Sequence, residues 1–214
     1  MGACAFDLRH YRELLEAVGE GGYRWAHFDH EPQAGDVLLR HDVDLSLAAA
    51  LKMAELEHEQ GASATYFLMS DSVFYNLSSH AGRHALERLR ELGHAVGLHA
   101  VHPRAELDDR FDPVVAWHNP DPEYVHEPIP GAVNVMQAPY FTRGKYRSDS
   151  NQHWREGCPH DELARGAFDW LQLLVHPEIW VYSGQTMRET MDAMLEAKQA
   201  EWIDALVDDR IDML

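Results

Sequence analysis

Six residues of the sequence have types that could together carry out a hydrolysis: Asp42, Asp44, His99, His118, Asp149 and His176. Each stands where a short apolar run gives out. Two histidines and a carboxylate with an open position form a ligand set for a catalytic Zn2+ or a similar divalent ion, which acidifies water and polarises a carbonyl oxygen. In Asp42-Val-Asp44 a straight strand puts both carboxylates on one face, so one can ligate metal while the other takes a proton from water. His176, arriving from another run, can protonate a leaving group. Any one of these residues alone is as readily turn or surface chemistry; their joint placement is the signal.

The elements that must position them are runs too short for helices: 36–40, 64–69, 95–98, 114–117, around 134–136, 146–148 and 171–175. Between several of them lie helical patterns. Leu8, Tyr11, Leu15 and Val18 follow Asp7 as N-cap, Ser46 opens a helix that closes near Gly61, and Leu86, Leu89 and Leu92 share a face stopped by Gly93. Pro103 and Pro113 cut short any helix between His99 and Val114. Met187, Met191, Met194 and Leu195 mark a long C-terminal helix, read as core or as an oligomer face. Strand–helix alternation predicts a parallel α/β sheet, in which the carboxyl ends of the strands, and with them the six residues, gather at one face.

Composition narrows the partners. The chain has 214 residues, 18 Lys+Arg against 36 Asp+Glu, and a formal charge of −18, which opposes nucleic-acid binding because that needs clustered cations. No run approaches the roughly 18 apolar residues of a membrane span, and the first twenty residues carry no basic, apolar leader pattern, so a soluble, cytoplasmic, single-domain protein over 1–214 is expected. Cys4 and Cys158 match no paired-cysteine motif and read as two free thiols.

At these residues the sequence resembles the polysaccharide deacetylases, carbohydrate esterase family 4 with the NodB homology domain, and among them the divergent branch of surface-polysaccharide clusters. Leu39-Arg-His-Asp-Val-Asp44 is similar to the first family motif, Gly97-Leu-His99 to the start of the second, and Leu174-Val-His176-Pro to the motif that supplies the general acid. The resemblance implies a distorted (β/α) barrel of about seven parallel strands. It implies Asp42 as base, His176 as acid, and a divalent metal, Zn2+ foremost, on Asp44, His99 and His118, with His102 as the alternative third ligand. Gln137-Ala-Pro-Tyr-Phe141 stands where the family has an arginine motif that orients the base, and Asp149 or Arg147 is expected to supply the missing charge. Trp117, Tyr140 and Arg147 are expected to meet the substrate, an acetylated sugar or glycoconjugate. A catalytically silent saccharide-binding relative and a metal amidohydrolase of a small non-sugar amide are the alternatives. A homo-oligomer is possible, and neither nucleic acid nor membrane is an expected partner.

Overall fold

The computed structural model describes residues 4–101 and 107–208. Its centre is β2 (Asp36–Val43), buried along its whole length. A strand with both faces buried needs alternate residues suited to two different interiors, and β2 supplies them. Val37, Leu39 and Val43 enter the layer between sheet and helices, whereas Leu38 joins Phe67, Val114 and Ala116 in a second, inner cluster. Arg40 and Asp42 fall on the inner side by the same alternation.

The strands β3 (Thr65–Leu68), β4 (Ala95–Ala100), β5 (Val114–Trp117), β6 (Val133–Asn134), β7 (Tyr146–Ser148) and β8 (Leu171–Val175) complete a sheet in the order β6-β5-β4-β3-β2-β8-β7. A short β1 (Arg24–Ala26) pairs beside the start of β2. All named pairings are parallel. The sheet curls into a half-barrel, a distorted (β/α) barrel as expected. β2 runs three residues beyond the expected end at Arg40, because His41, Asp42 and Val43 keep pairing with Tyr66, Phe67 and Leu68 of β3.

Helices α1 (Leu8–Glu20), α2 (Leu47–Glu59) and α3 (His80–Glu91) begin at side-chain caps, Asp7, Ser46 and Ser79, which accept from otherwise unpaired first-turn N–H groups. Three shorter or later helices follow: α4 (His160–Ala164), α5 (Pro177–Tyr182) and α6 (Met187–Asp208). On the outer face of β2, His41 lies 2.6 Å from Glu57, which also accepts from the hydroxyls of Tyr11 and Tyr66. This buried carboxylate is thereby satisfied and ties α1, α2, β2 and β3 together. No helix among the described residues is long and apolar enough to cross a membrane.

Candidate functional site

The alternation that sorts β2 also aims the chemistry. Asp44 follows the last residue of β2, His99 lies near the end of β4, and His118 follows β5. Leu98 and His99 pair in register with Val115 and Ala116, so the histidines emerge side by side. Asp44 Oδ1 lies 3.1 Å from His99 Nε2 and 3.2 Å from His118 Nδ1, and those two nitrogens are 3.2 Å apart. Tetrahedral ligands at Zn–N and Zn–O lengths of about 2.0 Å would be separated by about 3.3 Å. His99 Nδ1 faces the carbonyl of Ala116 at 3.1 Å and donates to it, which leaves Nε2 as the lone pair turned inward. A ligating histidine is commonly oriented in this way.

Asp44 Oδ1 is buried and, among the described residues, has no partner with hydrogen-bond geometry. Three potential ligand atoms, one from each residue, converge, and the donor set fits a divalent ion. Burial resists ionisation of Asp44, but the flanking His118 and His99 rings hold its carboxyl well below the usual range. His118 is in turn pushed up by Asp44. The cluster attracts positive charge.

Asp42, 4% exposed, accepts from Arg40 Nε and Nη2, both at 2.7 Å, and its Oδ2 is 3.7 Å from His99 Nε2. Burial opposes its charge, and the Arg40 guanidinium overrides that and lowers the carboxyl. Across the site His176 Nδ1 is 2.6 Å from Asp149 Oδ1, while Asp149 Oδ2 accepts from the His176 backbone N–H at 3.0 Å and from Trp180 Nε1 at 2.7 Å. Burial pulls His176 down, yet the Asp149 carboxylate more than offsets it and pushes the imidazole up to about 10. The pair favours the protonated imidazole, and Nε2 is the ring nitrogen that Asp149 does not engage. Glu178, in the first turn of α5, is pushed up to about 8 by burial.

A cavity of about 150 Å3 is lined by Asp42, Asp44, His99, His118 and His176, and an adjoining one of about 240 Å3 shares Asp44, His118 and His176 and adds Glu178. Trp117 lines the first. Three expectations are corrected. Asp149 lines neither cavity and is fully buried; it positions His176 rather than meeting the reacting groups or orienting Asp42. Arg147 points to the other face of β7, 3.1 Å from Glu162 and against Phe168, because neighbouring Tyr146 takes the inward position. Tyr140 packs on Phe28 in the inner cluster and donates to the His30 carbonyl, away from both cavities. His102 lies outside the described residues.

Two site residues escaped the sequence reading. Arg40 supplies the charge beside Asp42, and its signal is in the sequence: it precedes Asp42 by two residues on one strand, hence on one face. Glu178 follows His176 by two residues but enters the cavity from a helix, for which no spacing signal exists. No family model matches the chain, and no curated protein matches it.

Proposed function

We propose that the protein is a metal-dependent hydrolase that removes acetyl groups from a sugar or glycoconjugate. The observation that carries this reading is the convergence on one cavity of a three-atom candidate ligand set, the Arg40-paired carboxylate of Asp42 and the Asp149-paired imidazole of His176. Asp44 Oδ1, His99 Nε2 and His118 Nδ1 would hold the ion. When bound, a divalent ion such as Zn2+ supplies Lewis-acid polarisation of the acyl carbonyl and a more acidic water.

The remaining work belongs to side chains. Asp42, ionised beside Arg40, accepts a proton from the attacking water as its oxygen bonds to the acyl carbon. His176 then delivers a proton to the departing amine nitrogen or alcohol oxygen as the C–N or C–O bond breaks, and Asp149 steadies the imidazolium throughout. Met136 and Leu174 give the smaller cavity an apolar wall of a kind that receives a methyl group, which favours acetyl over a charged acyl group. Fold alone fixes no substrate.

The test is elemental analysis of wild type beside Asp44→Ala and His99→Ala, with circular dichroism to confirm folding, followed by acetate release from a panel of acetylated sugars. The strand-end metal should be lost in both variants. His176→Ala should keep its metal and release acetate about 100-fold more slowly or worse. Retention of the full wild-type metal content by both ligand variants would overturn the ligand set, and wild-type turnover by His176→Ala would remove its role as acid.

A further inference from the structure

A larger cavity, of about 860 Å3, opens away from the strand ends, against the start of α1 and the segment from His153 to Arg165. Cys4, His10 and Cys158 line it, each offering one ligand atom, and all three atoms lie within 4.8 Å of one another. His10 is fixed at both ring nitrogens. Its Nδ1 is 2.7 Å from Glu13 Oε2, one helical turn on, and its Nε2 is 3.3 Å from Cys158 Sγ. With Nδ1–H donated to Glu13, the Nε2 lone pair faces the sulfurs, the carboxylate–histidine arrangement found behind metal-bound imidazoles.

A second observation comes from Trp154, which lines the same cavity. It is 5% exposed, and among the described residues its Nε1 has no hydrogen-bond partner. A buried indole N–H without an acceptor is costly, and a thiolate at Cys4, the form that a bound cation favours, would satisfy it. A lone nucleophilic cysteine beside a histidine would need one thiol. Here two converge with the imidazole, the soft N/S donor set that selects Zn2+ over Mg2+ or Ca2+.

We propose that Cys4, His10 and Cys158 form a second metal site, for a thiophilic divalent cation of the Zn2+ type, with its remaining coordination open to the cavity. The site shares no ligand with the strand-end cluster and rests on none of the reading given for that cluster. The two are nevertheless neighbours through one residue: the Trp180 ring lies 6.3 Å from that of His10, centroid to centroid, while its Nε1 donates to Asp149.

Co2+ is the discriminating probe, since only a site with thiolates gives an intense thiolate-to-cobalt charge-transfer band in the near ultraviolet. The reduced full-length chain should show this band on Co2+ titration. His99→Ala should keep it, and Cys4→Ser and Cys158→Ser should each lose it or cut it at least severalfold. In wild type, Zn2+ should slow alkylation of both thiols by iodoacetamide at least tenfold, reversed by a chelator, which decides the matter even if a cysteine variant fails to fold. Cobalt binding without the band, or alkylation at the same rate with and without Zn2+, would overturn the site.

Discussion

Arg40 and Asp42 form a buried ion pair in which each group depends on the other. Such a pair need not stabilise a fold against a hydrophobic replacement, but removal of one partner strands a charge. Arg40→Met should therefore destabilise by roughly 3 kcal/mol, measured by urea unfolding, unless Asp42 takes up a proton. In that case the carboxyl is no longer ionised at neutral pH, and turnover falls while metal content holds. The Asp149–His176 pair makes a different prediction because its effect runs through a proton. His176 rises to about 10 in the fold from an ordinary value of 6.5, so the folded chain binds the extra proton between those values. The stabilisation is full below about pH 6.5 and fades as pH climbs toward 10. In the metal-free protein the stability gap between wild type and Asp149→Asn should narrow over that interval. By NMR titration the His176 midpoint in the variant should fall well below its wild-type value; an unchanged midpoint would show that Asp149 does not govern the imidazole.

At the scale of elements, Gly97 shows how a backbone position serves the site. A Cβ there would lie 2.5 Å from the Phe67 ring and 2.8 Å from Val114 Cγ2, so only glycine lets β4 sit this close to the inner cluster. Gly97→Ala should cost about 1–3 kcal/mol through overpacking and, by shifting β4, weaken metal binding at the proposed ligand His99 two residues on; thermal unfolding and metal titration would measure the two effects. Elements also decide what the sequence made legible. The seven main strands could be read because apolar runs bounded by polar ends persist in strands buried on both faces, and their ends located Asp44, His99, His118 and His176. The end of β2 is not legible because His41 and Asp42 look like turn residues, whereas each is buried against a partner, Glu57 or Arg40. Arg147 is expected at the site from the family resemblance alone, and the two-residue alternation of β7 sends it outward. Cys4 and Cys158 read as unrelated thiols because 154 positions separate them in the sequence; only the packing of α1 on α4 makes them neighbours.

For the whole molecule, the proposed strand-end ligands come from the ends of β2, β4 and β5, segments that share no local sequence and converge only when the curled sheet is formed. The unfolded chain has no such site, so a bound ion draws the equilibrium toward the fold. At a free ion concentration 100 times the dissociation constant the gain is about 2.7 kcal/mol, or roughly 5–10 °C in Tm for a chain of this size. Chelation should lower the melting temperature of the Cys4→Ser, Cys158→Ser variant, in which the second donor cluster is silenced, by that amount and leave the same variant carrying His99→Ala almost unmoved. The background matters because an ion at Cys4, His10 and Cys158 would join α1 to the segment before α4 and stabilise independently. A chelator-induced shift of full size in the triple variant would mean that the stabilising ion sits at neither cluster.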